Sequence, residues 1–194
     1  MKLASQTTGQ TGFTLIELVI VITIIGVLAA VALPRFIALQ RDARIAKLYA
    51  ARGSVGASAA LVHAAILTRN GNADPAPCAV GGTADNKSGT SAVPGSVCTE
   101  NGLIATVYGY PASTSIPAVA PANPGIVAVA GLSTVFNPTL QNLQDEGYSA
   151  IFASPDTIFQ VQGAPDMANC QFTYTQAASA IVPATISVLT TTGC

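Results

Sequence analysis

The sequence predicts an α+β fold in which one long N-terminal α-helix, membrane-spanning in its first half and amphipathic in its second, packs on a small antiparallel β-sheet. Three features predict it: an apolar run over residues 13–33, a helical period over 34–67, and short alternating segments beyond residue 100. Charged residues make up only 9% of the chain and the net charge is -1. A soluble domain is about a quarter charged, and near-neutrality gives no electrostatic footprint for nucleic acid.

The apolar run from Phe13 to Leu33 contains one charged residue, Glu17. As a helix rising 1.5 Å per residue, it would span about 31 Å, close to the thickness of bilayer hydrocarbon. A secretory signal peptide has a shorter apolar region, and its cleavage site follows that region. Here a small residue, Gly12, precedes the run instead. We therefore expect residues 1–12 to be a polar leader and 13–33 to be a membrane helix.

The next segment, residues 34–67, has the period of an amphipathic helix. Its apolar positions recur at spacings near three, four and seven: Ile45, Leu48, Val55, Ala59, Val62 and Ile66. Pro34 lacks an amide hydrogen, which predicts a bend there, and Gly26 weakens the helix by about 1 kcal/mol relative to alanine. We expect the Ile45–Ile66 face to be covered by the sheet.

The remainder, residues 68–194, predicts a globular head. Residues 69–100 are rich in Gly, Pro, Asn and Ser and indicate a loop. Strand-like segments follow, and about four of them should form the sheet. The candidates are Leu103–Tyr110, Ile126–Ala130, Thr157–Val161, Gln171–Thr175 and Thr185–Leu189.

The chain has four cysteines, all in the head, which suit disulfides in an oxidising compartment. Four cysteines allow three pairings. Local bracketing favours Cys78–Cys98 and Cys170–Cys194, each worth roughly 3 kcal/mol by loop closure. A zinc site is disfavoured because no CxxC spacing exists and His63 is remote in sequence.

No catalytic residue, metal site or cofactor is expected. His63 and the nearby Ser54 and Ser58 lie on the amphipathic helix without an apparent orienting acid. The head acids lack the spacing of an EF-hand, so solvated loop acids are favoured over a calcium site, which stays an alternative: Asp145, Glu146, Asp156 and Asp166.

Glu17 is the residue that suggests a mechanism. An acidic residue at the centre of a membrane helix costs roughly 2.5–3.5 kcal/mol, and less near an end, so a partner is expected. Cleavage between Gly12 and Phe13 would create an α-amine one helical turn before Glu17. A neighbouring copy's amine at 4 Å would be attracted by about 4 kcal/mol at an effective dielectric of 20. The alternative is a single-pass anchor whose Glu17 is tolerated near the interface.

The segment GFTLIELVIVITIIGVLAAVALP, residues 12–34, resembles the class III signal of type IV prepilins and pseudopilins. The resemblance implies that a prepilin peptidase cuts after Gly12 and methylates the new N-terminus at Phe13. It also implies that Glu17 supports assembly and that Pro34 marks a helix bend. Other segments are similar to mannose-sensitive haemagglutinin pilins: residues 34–48, 108–111 and 191–194.

The resemblance implies the type IV pilin fold, and the Cys170–Cys194 pair is similar to that family's C-terminal disulfide-bounded region. The implied function is a major structural subunit of a type IV pilus that serves adhesion or motility. The implied partners are its own copies, the prepilin peptidase, the inner-membrane assembly machinery and a host or surface receptor. The precursor would reside in the inner membrane and the assembled chain in an extracellular pilus.

Three other interpretations stay open. A secretion-system pseudopilin is one, although major pseudopilins usually lack a C-terminal disulfide. A minor pilin for initiation or DNA uptake is the second. A membrane-anchored enzyme or binding module that never polymerises is the third, and an uncut leader in the isolated protein would favour it.

The distribution of basic residues opposes the expected orientation. Five follow the apolar run, whereas only Lys2 and the initial amine precede it: Arg35, Arg41, Arg44, Lys47 and Arg52. The positive-inside rule alone would place the head in the cytoplasm. The cysteines and the Thr/Ser/Gly/Pro-rich head favour the outside, and we expect that orientation.

Overall fold

The longest element of the chain is the helix α1, which spans Leu15–Arg69. The structure is a computed structural model that describes residues 12–113 and 124–194. Residues 1–11 of the expected leader lie outside the described residues. The chain divides into two compact units, Met1–Arg41 and Asp42–Cys194, and each is considered by itself.

The described part of the first unit is almost entirely helix, with its side chains exposed. The helix is assigned without a break through Gly26 and Pro34. The bend expected at these residues therefore remains a prediction. The apolar side chains meet no protein partner within the described part of this unit, so a stable environment for them must come from lipid or from another chain.

The second unit contains the head-side part of α1 and two antiparallel sheets, where the sequence predicted one sheet of about four strands. The first sheet has the order β1-β2-β3, with strands Gly95–Cys98, Leu103–Val107 and Tyr110–Pro111. The second has the order β4-β5-β6-β7, with strands Tyr148–Ala153, Asp156–Val161, Gln171–Thr175 and Thr185–Ile186. Short helices connect them: α2 at Ile126–Val129, α3 at Leu140–Asp145 and a 3₁₀ turn at Met167–Asn169.

One expected strand is wrong, since Ile126–Ala130 forms α2 and the residue that ends it. The segment IVAVA is apolar without the alternation of a half-buried strand. Ile126, Val127 and Ala130 are all buried. A helical turn pairs the backbone N–H and C=O groups of such buried residues with each other. The Ala130 N–H, for example, donates to the Ile126 carbonyl at 3.0 Å.

The head packs on one face of α1, and the expected α+β packing is confirmed. Leu48, Ala51, Val55 and Ala59 share a buried cluster with the aromatic inner face of the second sheet, formed by Phe159, Phe172 and Tyr174. Val62 and Ile66 share a second cluster with Val97 of β1 and Ile104 of β2. A single helix face therefore carries both sheets in succession.

Basic side chains on α1 donate hydrogen bonds to backbone carbonyls that lie in four separate segments of the head. The bonds run from Arg44 to Cys194 (3.0 Å), from Lys47 to Glu146 (2.5 Å), from Arg52 to Ser187 (2.9 Å) and from Arg69 to Cys98 (3.3 Å). The Lys47 ammonium also lies 4.4 Å from the ring centre of Tyr148. Charge-assisted bonds of this kind are stronger than neutral ones, so these cations help to fix the head on its helix.

Two disulfides close the loops that the cysteine spacing favours, Cys78–Cys98 and Cys170–Cys194. Cys170 and Cys194 lie in the main core cluster. The other pair ties the polar loop after α1 to the end of β1. That loop is also held by the fully buried Asn86, whose amide donates to the Asn72 carbonyl and to the Asp74 carboxylate, each at 2.7 Å.

We predict that Leu48→Ala lowers the free energy of unfolding by about 2–5 kcal/mol, because Leu48 is 0% exposed and its loss leaves a cavity. The matched control is Leu61→Ala on the same helix, where the side chain is 71% exposed, and it should cost less than about 0.5 kcal/mol. Urea unfolding of the full chain in detergent, followed by tyrosine fluorescence, measures both. Equal effects would contradict the assigned burial.

Candidate assembly site

The N-terminus of α1 is closed by a reciprocal pair of hydrogen bonds between Thr14 and Glu17. The Glu17 amide donates to Thr14 Oγ1 at 3.3 Å, and the Thr14 amide donates to Glu17 Oε2 at 3.1 Å. The Thr14 hydroxyl donates to the same Oε2 at 2.8 Å. This is the capping-box arrangement, in which a threonine before the helix and a glutamate three residues later satisfy each other's amides.

The capping box gives Glu17 a local role that the expected intermolecular pairing overlooks. The T-x-x-E pattern was present in the sequence and was the signal for it. Both bonds to the carboxylate end on Oε2. Within residues 12–113 and 124–194, Oε1 accepts no hydrogen bond, and Glu17 is exposed. One carboxylate oxygen thus caps the helix, and the other is available to a donor from outside the chain.

The expected cleavage site lies immediately before this cap. Phe13 is 84% exposed. A Cβ atom added to Gly12 would meet nothing within 4 Å, so the described packing of the chain does not require glycine there. An amine created at Phe13 would directly precede Thr14, whose own amide donates to the Glu17 carboxylate.

The first unit offers a helix surface that is exposed and predominantly apolar up to Leu33. Among the described residues, α1 is the one helix long and apolar enough to cross a membrane. Its largest apolar side chains are all exposed from Phe13 to Leu39. Apart from Glu17, the helix carries no charge before Arg35.

The second unit exposes a different helix surface, opposite the face that binds the head. We call it the uncharged face of α1. Beyond the exposed Asp42 at its start, its exposed members contain no charged residue and are mostly small: Ala43, Ala46, Tyr49, Ala50, Gly53, Ala57, Ala60, Leu61, Ala64 and Leu67. The small residues recur at spacings of three and four, as along one side of a helix. A Cβ atom added to Gly53 would meet nothing within 4 Å, so the head does not explain glycine there.

Other sequence candidates have structural roles. His63 is half-buried and stacks on Tyr110, with ring centres 4.0 Å apart. Its Nδ1–H donates to the Gly109 carbonyl at 3.1 Å. Ser54 donates to the Ala130 carbonyl, and Ser58 to the Val55 carbonyl. These contacts join the helix to the hairpin turn, to α2 and to its own preceding turn.

The head acids are not gathered into one site. Asp145 accepts a bond from Gln141, Asp156 from Thr175, and Asp166 from Asn169, so each belongs to its own turn or hairpin. In the described part of the chain, no three His, Cys, Asp or Glu side chains lie close enough together to hold a metal ion.

Comparison with known proteins gives a family match at the N-terminus and similarity to a pilus protein. Residues 7–33 match the model of the prokaryotic N-terminal methylation motif. The chain is also similar to the type IV narrow pilus major component PilA5 of Thermus thermophilus, with 50% identity over 50 residues. That match covers 26% of this chain and 43% of the Thermus protein. No solved structure matches the chain.

Proposed function

We propose that this chain is a type IV pilin, a structural subunit of a type IV pilus that polymerises through α1, as the match to the N-terminal methylation motif and the similarity to a Thermus pilus component support. The observation that carries the proposal is the exposed surface of that helix. It is predominantly apolar from Leu18 to Leu33 and carries no charge on the uncharged face beyond Asp42. A surface of this kind is stable only against lipid or against other protein chains.

The precursor spans the inner membrane through residues 13–33, with the head outside. A prepilin peptidase hydrolyses the peptide bond between Gly12 and Phe13 and methylates the new amine. Removal of the leader leaves an N-terminus that is apolar except for its amine and Glu17. The inner-membrane assembly machinery then transfers the helix from lipid into a bundle of its own copies.

Subunit docking uses the Glu17 oxygen that the helix cap leaves without a partner. The Phe13 amine of one subunit pairs with Glu17 Oε1 of its neighbour. The capping box orients the carboxylate before the partner arrives, because Oε2 is already held by Thr14. A partly pre-oriented acceptor loses less conformational freedom when the pair forms.

The uncharged face of α1 forms a second subunit contact. Small side chains permit close approach of two helices, since van der Waals contact between backbones depends on short side chains. Head-to-tail contacts that do not close into a ring generate open filaments. The head stays on the outer surface, where it is available for adhesion or motility and for a host or surface receptor.

A major pilin is favoured over a pseudopilin or a minor pilin. The Cys170–Cys194 disulfide argues against a major pseudopilin. The similar Thermus protein is named as a major pilus component. A minor pilin for initiation or DNA uptake would be found at low abundance or at the filament tip.

We predict that sheared surface filaments contain this chain beginning at methylated Phe13, without residues 1–12 and with both disulfides intact. Intact-mass and peptide mass spectrometry of the sheared material measures all three features. A filament fraction that lacks the chain, or that holds it with the leader attached, would overturn the proposal and favour a membrane-anchored module.

We predict that Glu17→Gln reduces surface filaments at least tenfold while membrane insertion persists, because the neutral side chain cannot pair with the amine. Thr14→Val is the matched variant, since it removes the side chain that caps the helix and leaves the charge of Glu17. The lost cap should cost about 1 kcal/mol of local helix stability and reduce filaments much less. Equal losses of sheared filament protein in the two variants would make capping the whole role of Glu17.

We predict that Ala57→Leu, on the uncharged face, strongly reduces filaments while the head stays folded, because the longer side chain separates the helices. Ala168→Leu is the control, as Ala168 is an exposed alanine elsewhere on the head. Urea unfolding checks the fold of both variants, and electron microscopy counts the filaments. Wild-type piliation in Ala57→Leu would exclude this face from the subunit contact.

A further inference from the structure

Two basic residues on α1, Arg35 and Arg41, have no assigned task. Both are exposed, and neither makes a hydrogen bond or ion pair with the described residues. The next basic residues along the helix, Arg44, Lys47 and Arg52, all donate to head carbonyls. Arg35 and Arg41 both belong to the first unit, so their environment is set by what surrounds the helix.

The distances of these arginines from the end of the apolar run place them near the headgroup layer of a bilayer. The apolar run ends at Leu33, so Arg35 lies about 3 Å and Arg41 about 12 Å beyond the hydrocarbon, at 1.5 Å per residue. The headgroup layer of one leaflet is about 5–8 Å thick. An arginine side chain also reaches back toward it with its apolar stem. Both guanidinium groups can therefore meet lipid phosphates.

The residues between the arginines support a membrane interface. Phe36, Ile37 and Leu39 are exposed, and aromatic and apolar side chains beside basic ones are typical of the boundary between hydrocarbon and headgroups. Asp42 is the acidic residue in this stretch, and it lies on the head side of Arg41, farther from the bilayer.

The distribution of basic residues along the chain is a second reason to expect an anionic partner for Arg35 and Arg41. With the head outside, Arg35 and Arg41 stand on the side of the membrane where basic residues are disfavoured. Arg44, Lys47 and Arg52 are compensated by the head carbonyls to which they donate. The remaining two need a separate compensating interaction, and guanidinium groups bind phosphate oxygens in a bidentate fork.

We propose that Arg35 and Arg41 bind the phosphate groups of anionic phospholipids at the outer face of the membrane and hold the precursor at a fixed depth until assembly. The proposal rests on the membrane-spanning precursor described above. The bound species is the lipid headgroup and not free phosphate, because the flanking apolar side chains require hydrocarbon beside the anion. Extraction of a subunit into the filament then includes release of these lipids.

The test measures which lipids surround the full-length chain in bilayers that mix phosphatidylglycerol with phosphatidylcholine. Electron spin resonance of spin-labelled lipids gives the preference for each at the protein surface. We expect a preference for phosphatidylglycerol that falls at least fivefold in Arg35→Gln/Arg41→Gln, since each near-surface basic residue contributes about that factor. Arg35→Lys/Arg41→Lys should retain most of it. Added salt should weaken the wild-type preference.

The matched control is Arg44→Gln/Arg52→Gln, which removes the same charge from residues engaged by the head. It should leave the lipid preference unchanged. An equal fall in this control, or an unchanged preference in Arg35→Gln/Arg41→Gln, would overturn the proposal. Unchanged preference with lost filaments would assign the arginines to a neighbouring subunit instead. A chain that shows no motionally restricted lipid at all would contradict the membrane-spanning precursor itself.

Discussion

The division of α1 into two unlike faces is the constraint on which the rest of the structure depends. The face that includes Leu48, Val55 and Val62 is buried beneath the head, while the opposite side keeps an uncharged face exposed. An amphipathic helix ordinarily exposes its charges to water. Here Arg44, Lys47 and Arg52 turn toward head carbonyls. The head therefore does more than cover apolar surface, because it also withdraws positive charge from the side of the helix that a neighbouring subunit would contact.

A similar pairing of polar groups is found at the N-terminus. A helix beginning in a membrane leaves its first amides without partners, and an isolated carboxylate there is also costly. Thr14 and Glu17 reduce both costs by bonding to each other. A precursor can then hold Glu17 in the membrane before any partner exists. In the proposed function, cleavage after Gly12 would add an amine while Thr14 already orients the carboxylate, so assembly would depend on the new charge and not on a rearrangement of the helix.

The sequence was most informative where one physical signal acts alone. A long apolar run and a sustained helical period predicted α1 and its buried face, and local spacing favoured the observed disulfides. It was least informative where short segments depend on distant partners. β1 has only four residues, and its single large apolar side chain, Val97, is buried by Ile66 and Ile104. The sequence wrongly predicts a strand at α2, because a short apolar run has the same composition in a strand and in a buried helix. The capping role of Thr14 was not predicted, although the T-x-x-E pattern that indicates it spans only four residues.

The proposed orientation of the chain, with the head outside, requires more than a count of basic residues. The positive-inside rule acts while the chain inserts, when Arg44, Lys47 and Arg52 are unpaired. After the head folds, these three cations donate to carbonyls on the same side of the membrane. The two disulfides form on that side only if it is oxidising. The bonds to carbonyls form wherever the head folds, but the proposed outer location adds the two disulfides, and a folded, cross-linked head is energetically costly to return across the membrane. In the proposed export, the charge distribution opposes insertion of the chain, whereas the folded and disulfide-bonded head stabilises the inserted product.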